Sequence, residues 1–460
     1  MMQLPVDFIT RTKELLADDF RRLEVAVGEE APVSIRVNAA KRLEGLPYER
    51  VAWCETGYYL PERLSFTFDP LFHAGAYYVQ EASSMFLEQA IRAYVDKPVK
   101  CLDLCAAPGG KSTHLLSVLP EGSLLVSNEV IRNRSNILSE NIIKWGNPYF
   151  VVTNNDPADF DGLAQLFDVL VADVPCSGEG MFRKDPNSIN EWSVSNVQLC
   201  AARQKRIIQD IWDTLKPGGL LIYSTCTYNT EENEDNIHYI VNDLGATPLP
   251  LPLKEEWGVS GGLKYDYPVY RFFPHKTKGE GFFLAVLRKN EGEVVTPKIK
   301  PSKEKKKASQ PIPPEVRQWL SEPDLFNIEL RNNTLEAFPV AYKQEHMLIS
   351  NALRMVSFGI QLGEIKGKDV LPAHPLAMST YLNRNVFPLH EVSYEEAIQY
   401  LRKEVLQLPP ELPKGYVLLT YKGSPLGFVK QLGNRANNLY PQEWRIRSGY
   451  LPEKITCLPF

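Results

Sequence analysis

Val99–Ser112 reads VKCLDLCAAPGGKS. Its first half, VKCLDLC, has the length and apolar density of a buried strand. Ala106, Ala107, Pro108, Gly109 and Gly110 then permit a tight turn with its backbone open to a ligand. Lys111–Val118 (KSTHLLSV) starts a helix whose unpaired N–H groups face that turn. Strand, glycine turn and helix describe one unit of a nucleotide-type pocket. A Gly-Gly turn also serves as a plain connector, so the neighbouring segments must decide.

Those neighbours repeat the unit. Ser123–Glu129 (SLLVSNE), Tyr149–Thr153, Phe167–Asp173 (FDVLVAD) and Leu220–Thr225 read as further strands. Arg132–Trp145, Gln198–Leu215 and Glu231–Val241 read as helices, the second stopped by Lys216-Pro217-Gly218-Gly219 and the third led by acids. Val269–Phe273 and Phe282–Arg288 end the series as a strand pair. The alternation predicts an α/β fold with a doubly wound, mostly parallel, Rossmann-like sheet.

Ligands of such a sheet bind outside the carboxyl ends of its strands. Past those ends stand the glycine turn, Glu129, Asp156, Asp173 with Cys176, and Cys226. Glu129 follows Gly109 by about 20 positions, the spacing at which a carboxylate accepts both ribose hydroxyls. Three acids on one rim beside a glycine turn favour a nucleoside-bearing cofactor. The turn lacks G-x-G-x-x-G, and only the G-K-S end of a P-loop is present, so a phosphate chain is not the expected guest. S-adenosylmethionine carries no phosphate, and its positive sulfonium suits carboxylates. It is the expected cofactor, with Asp156 placed for the adenine amino group and Asp173 where the methyl donor meets its substrate.

Cys176 lies in DVPCSGEG and Cys226 in YSTCTYN, each just after a buried strand. A lone cysteine is usually a small inert core residue. A disulfide is the competing account, but seven cysteines without framework spacing suit a reducing compartment. Two thiols beside a methyl-donor pocket suit cytosine C5, a poor nucleophile that covalent catalysis activates. A thiolate adds to C6, C5 takes the methyl group, and a base removes the C5 proton so that the thiolate leaves. Spacing leaves open which cysteine attacks.

DLCAAPGGKS, DVPCSGEGMFRKDP and LKPGGLLIYSTCTYNTEENE resemble the Nol/Nop/Sun family of RNA cytosine-C5 methyltransferases. The likeness is nearest to its bacterial RsmF-type branch, which modifies 16S ribosomal RNA, and spans roughly residues 5–290. It implies that Cys226 is the nucleophile, that Cys176 assists release of the methylated base, and that Asp173 hydrogen-bonds the cytosine ring. It also implies that Cys105, Ala106, Ala107, Pro108, Gly109, Gly110 and Lys111, with Glu129, Asp156 and Asp173, bind S-adenosylmethionine. Glu129 stands where many members carry an Asp-type acid, and Glu can do the same work. IRVN (Ile35–Asn38) and VQEASSM (Val79–Met85) resemble the family's accessory segment, with Arg36 a candidate RNA contact.

These readings divide the chain into an accessory, RNA-contacting segment (1–95), a methyltransferase domain (96–290), a basic linker (291–313), an intermediate region (314–385) and a small C-terminal domain (386–460). The linker carries eight Lys/Arg against three acids from Arg288 to Lys307. NNLYPQEWRIR (Asn437–Arg447) resembles the PUA-like module that ends RsmF-type enzymes. Within Pro410–Phe460 the basic residues Lys430, Arg435, Arg445 and Arg447 are candidate phosphate contacts, while most of the region's aromatic rings are expected in a core.

The 460 residues imply two or three domains, and 44% hydrophobic with 23% charged residues describe a globular chain. No apolar run reaches the roughly 18 residues of a membrane span, and the start lacks a secretory signal, so a cytoplasmic location is expected. A net charge of −5 argues against indiscriminate coating of nucleic acid but allows a local basic surface. No C-x-x-C or Cys/His cluster points to a metal. The expected partner is ribosomal RNA, including RNA within the small subunit, and no membrane. Transfer RNA as substrate, or a non-catalytic RNA-binding assembly factor, are the alternatives. The intact cysteine pair speaks against the second.

Overall fold

The alternating segments build a mixed sheet of strands β1 (Lys100–Asp103), β2 (Leu124–Asn128), β3 (Phe150–Thr153), β4 (Phe167–Asp173), β5 (Leu215–Thr225), β6 (Val269–Phe272), β7 (Phe282–Lys289) and β8 (Met355–Phe358). Their spatial order is β6-β7-β5-β4-β1-β2-β3-β8, and Ala246–Pro248 pairs with the far end of β7. The five strands from β5 to β3 are mutually parallel. β7 is antiparallel to β5 and β6, and β8 to β3. The computed structural model describes residues 3–42, 45–294, 312–433, 435–449 and 457–460.

Side chains alternate between two buried faces. Leu102, Val126, Leu170 and Leu221 enter one core, and Cys101, Leu125, Val171 and Ile222 the other. Burial on both faces is why these strands read as unbroken apolar runs. The chain runs outward from β1 through β2 to β3, then returns to β4 and β5. The reversal between β1 and β4 opens a crevice at the carboxyl edge.

Two boundaries differ from expectation. The helix expected at Gln198–Leu215 spans Val194–Ile211, and Lys216-Pro217-Gly218-Gly219 lies inside β5. There the register jumps from Phe167↔Leu215 to Val169↔Leu220, a bulge made possible by Gly218 at φ +74°. The acid-led helix begins at Glu234, not Glu231. The freed residues Glu231–Asn233 form a turn in which Glu232 and Asn233 are fully buried.

Around this domain the chain folds back on itself. Helices Val6–Leu16 and Phe20–Val27 set Phe8, Phe20 and Leu23 against Phe182, Trp192 and Tyr228, which follow the two motif cysteines. Val33–Val37 is the centre of a three-stranded antiparallel sheet with Gly57–Leu60 and Tyr77–Val79. The region 314–385, expected as separate from the catalytic domain, is joined to it. It donates β8 to the central sheet, and its Phe338, Ile349 and Leu353 enter the same core. The final sheet (Leu389–Glu391, Gly415–Tyr421, Ser424–Gln431, Ala436–Asn438) shares a core with the N-terminal sheet through Val417 and Val429 against Ile35 and Tyr77. The basic linker, apart from 291–294 and 312–313, lies outside the described residues. Among those described, no helix is long and apolar enough to cross a membrane.

Candidate active site

The glycine turn is held from behind. Gly109 takes the left-handed conformation (φ +117°), where a Cβ would stand 3.3 Å from Cβ of Asn141. Arg134 donates to the Ala107 carbonyl and Asn141 to the Pro108 carbonyl, both at 2.8 Å. The Ala107–Pro108 peptide is cis. Ser112 donates to Asp103 at 2.7 Å behind the turn.

In front of it, Lys111 Nζ lies 2.8 Å from Asp173 Oδ2, and the Ser224 hydroxyl donates to Asp173 Oδ1 at 2.7 Å. Burial opposes the charge on Lys111, but the Asp173 carboxylate outweighs it and the pKa is raised. The sulfurs of Cys176 and Cys226 are 3.0 Å apart, and the Cys226 N–H donates to Cys176 Sγ at 3.3 Å. The hydrogen bond to the Cys226 sulfur, then burial, push the Cys176 thiol well up, so it stays protonated at neutral pH.

Two clefts meet at this point. One, of about 540 Å³, is lined by Leu104, Cys105, Ala107, Glu129–Ile131, Arg134, Asp156, Pro175 and Cys176. The other, of about 290 Å³, is lined by Tyr78–Glu81, Ala106–Pro108, Gly110, Lys111, Met181, Lys184 and Glu280–Phe282. Cys105, Ala107, Asp173 and Cys226 line both. The turn therefore divides the clefts, and the acid and the second cysteine stand at their junction.

The larger cleft suits a sulfonium nucleoside. Glu129 is almost buried, one oxygen accepting the Ile131 N–H at 2.8 Å and the other 3.4 Å from Arg134. Beside it Val130 and Ile131, each more than half exposed, offer apolar surface to a purine. Asp156 caps the short helix Pro157–Leu163 through the Ala158 N–H, with 42% of its side chain still exposed. The acceptors are carboxylates set along an apolar wall, and these residues fit S-adenosylmethionine.

Several cleft residues escaped the sequence reading. Arg203 and Arg206 project from Val194–Ile211 into the larger cleft, Arg206 at 3.9 Å from Asp156. The sequence marks this segment as a helix and gives no sign of which of its faces meets a ligand. In the smaller cleft, Met181 and Lys184 come from the GMFRKDP stretch and Glu280–Phe282 from the hairpin of β6 and β7, which no motif marked.

The expectation for Arg36 is overturned. It is fully buried, donating to Gln80 Oε1 at 2.9 Å and Thr113 Oγ1 at 2.6 Å, with its guanidinium 4.4 Å from the Trp145 ring centroid. Strand alternation does put Arg36 and Asn38 on one face, but that face packs on the catalytic domain. Arg36 ties the N-terminal sheet to the helix Gly110–Val118 and is shut off from RNA. At the other end, Lys430 is paired with Asp369 at 2.9 Å, while Arg435, Arg445 and Arg447 are exposed. Phe428, Tyr440 and Tyr421 are core residues, as expected.

No metal-type cluster is legible in the sequence, yet three separate segments bring Cys54, Glu88 and His114 together. Their donor atoms lie within 4.8 Å of one another. Glu88 bonds His114 Nε2 at 3.1 Å and Arg92 at 2.7 Å. Burial raises Cys54 to about 12 and lowers His114 to about 4. At neutral pH this is a buried cluster of thiol, neutral imidazole and carboxylate.

Comparison with known proteins accords with this geometry. A family model described as 16S rRNA methyltransferase RsmB/F matches residues 94–288. Models of the N-terminal domain of 16S rRNA methyltransferase RsmF and of the methyltransferase RsmF PUA domain match 4–82 and 387–446. The chain is 31% identical to ribosomal RNA small subunit methyltransferase F of Aliivibrio fischeri (strain MJ11), over 97% of this chain and 98% of that protein. It is 29% identical to the Escherichia coli O9:H4 (strain HS) protein of the same name, over 97% of each. Among solved structures, a methyltransferase homolog protein from Pyrococcus horikoshii superposes with a TM-score of 0.54 at 26% identity, covering 63% of this chain and 96% of that one. NSun6 from Pyrococcus horikoshii, solved with SFG, has a TM-score of 0.54 at 21% identity over 63% and 99%, a likeness of fold. The cleft and the kinship agree on S-adenosylmethionine as the methyl donor. With a relative at this identity along nearly the whole length, the chain belongs to the RsmB/F family of 16S rRNA methyltransferases.

Proposed function

We propose that this chain methylates C5 of cytosine in 16S ribosomal RNA, with Cys226 as nucleophile and Cys176 as the base that releases the product. The observation that carries the proposal is the sulfur pair, 3.0 Å apart, at the junction of two clefts beside Asp173 and Lys111.

A cytosine reaches the smaller cleft by flipping from a helix or from a single-stranded segment. Cys226 gives its thiol proton to water, and its thiolate Sγ forms a bond to C6. The Asp173 carboxylate, pinned by Lys111 and Ser224, accepts a hydrogen bond from the exocyclic amino group and holds the ring, while the displaced C5=C6 electrons pass into the ring. The glycine turn, Glu129 and Asp156 would hold S-adenosylmethionine in the larger cleft, where it would supply an electrophilic methyl group that C5 takes, leaving S-adenosylhomocysteine with the C–S electrons. The first cause of the high Cys176 pKa is the neighbouring Cys226 sulfur. Once that sulfur is a thioether, the opposition falls, Cys176 yields its proton to water, and its thiolate takes the proton from C5. The electrons of the C–H bond then re-form the ring double bond, and Cys226 leaves as thiolate. Exposed Arg435, Arg445 and Arg447 on the C-terminal module support docking of RNA phosphates, within the cytoplasm.

Bisulfite sequencing of ribosomal and transfer RNA from cells with and without this protein tests the substrate. Loss of a protected cytosine from 16S RNA is expected. Loss confined to transfer RNA, or none at all, overturns the assignment.

A further inference from the structure

The reaction steps do not use two fully enclosed carboxylates, and both lie beside the cysteines. Glu179 follows Cys176 in the chain and Glu232 follows Cys226; they are 3% and 0% exposed. Glu179 Oε2 accepts from the Thr227 hydroxyl at 2.8 Å and from the backbone N–H groups of Tyr228 at 2.8 Å and Asn229 at 2.9 Å. Its Oε1 accepts from the Trp192 indole at 3.0 Å. Glu232 Oε2 accepts from the Ser177 N–H at 3.0 Å and Gln204 at 2.7 Å, and Oε1 from Asn229 at 2.8 Å. Glu179 therefore grips three residues that follow Cys226, and Glu232 grips the residue that follows Cys176 while bracing Asn229 of its own loop. Ser177 and Thr227 hydroxyls meet at 3.0 Å between them, and the Gly180 N–H donates to the Cys226 carbonyl at 2.9 Å.

We infer that Glu179 and Glu232 are positioning residues that clamp the two cysteine loops reciprocally, Glu179 fixing the loop of Cys226 and Glu232 the loop of Cys176. The inference rests on the cysteine roles proposed above. Burying a carboxylate is costly unless several donors surround it, and each acid here has at least three. Five of those seven donors are backbone N–H groups and side chains of the loops themselves, and Trp192 and Gln204 anchor the acids to the neighbouring helices, so what the acids secure is the mutual placement of the two sulfurs. A displacement of about 1 Å at reacting atoms costs on the order of 100-fold in rate. Because each clamp serves a different cysteine, losing one slows adduct formation and losing the other slows release.

The test uses the full chain, S-adenosylmethionine and 16S RNA, with turnover and denaturant-resistant protein–RNA adduct followed in one time course. Glu179→Ala is expected to lower turnover at least ~10-fold with adduct no higher than in the unaltered protein. Glu232→Ala is expected to lower turnover at least ~10-fold while adduct builds up, as in Cys176→Ala. The same adduct pattern in both variants, or unchanged turnover in either, overturns the clamp. Affinity for S-adenosylmethionine within about twofold of the unaltered protein shows that a variant is folded. Should an alanine variant fail to fold, Glu179→Gln with and without Trp192→Phe serves instead. The glutamine oxygen keeps the three Oε2 donors, and removing the indole N–H removes the conflict with the new amide. Recovery of turnover in the double variant supports the clamp, and none refutes it. If Cys176→Ala itself gathers no adduct, the cysteine roles fall; if it does and Glu232→Ala does not, only the clamp falls.

Discussion

The open rim and the polar layer beneath it contain the same residue types put to opposite uses. At the rim, Cys176, Cys226 and Asp173 face clefts and keep part of their surface open. Beneath it, Cys54, Glu88 and His114 are enclosed and bond one another, and Arg36 is enclosed with its hydrogen bonds spent on Gln80 and Thr113. A thiol becomes a reagent through access and partners, not through identity. A buried arginine likewise becomes a structural fastener, since no phosphate can reach it.

The sharpest way to break this contrast is at the cysteines. Cys226→Ala should reduce methylation by at least ~1000-fold while S-adenosylmethionine still binds. Cys54→Ala should leave turnover within about threefold below its melting temperature. Comparable losses in both, read from methyl transfer to 16S RNA, would erase the distinction. Cys176→Ala should lower turnover by roughly 100-fold and leave a denaturant-resistant protein–RNA band. A clean gel with bound cofactor would remove its role in release.

The arginines sharpen the same contrast in stability. Arg36→Ala strands Gln80 and Thr113 in a buried layer and should cost about 3 kcal/mol in denaturant unfolding. RNA affinity of the fraction that stays folded should be unchanged. Arg435→Ala with Arg445→Ala should do the reverse, weakening RNA binding and flattening its salt dependence with the midpoint of unfolding unmoved.

The smallest effect concerns Asp103, behind the glycine turn. Burial raises its pKa to about 7, opposed by the Ser112 hydrogen bond, against an ordinary value of 3.8. An acid whose folded pKa lies above its unfolded one binds its proton more tightly in the folded state. Its contribution is complete below about pH 4 and is lost as pH rises through 7. Asp103→Asn should therefore flatten the decline in stability between those values. An unchanged pH profile by thermal unfolding would place the proton elsewhere.

Much of the catalytic domain was legible because it is built from local rules. Both faces of the sheet are buried, so its strands announce themselves as apolar runs, and the rim residues follow each run directly. Glu232 shows where legibility stops. As one of several acids before a helix it read as a helix-dipole partner, because nothing in TYNTEENE distinguishes the acid that points inward. Arg36 fails in the same way: alternation shows which residues share a face, not what that face meets. The region 314–385 looked independent because a strand pairing from Met355 to Thr153 leaves no local trace.

The chain's own order of residues determined the strand–turn–helix units, the acids and cysteines at the strand ends, and with them the class of chemistry. These depend on short-range patterning of apolar side chains and on backbone freedom at a few glycines. The tertiary structure alone decided that the two sulfurs meet, which acids brace them, and that Arg36 is sealed inside. Such facts depend on contacts between segments tens to hundreds of residues apart, set by how whole elements pack rather than by any spacing along the chain.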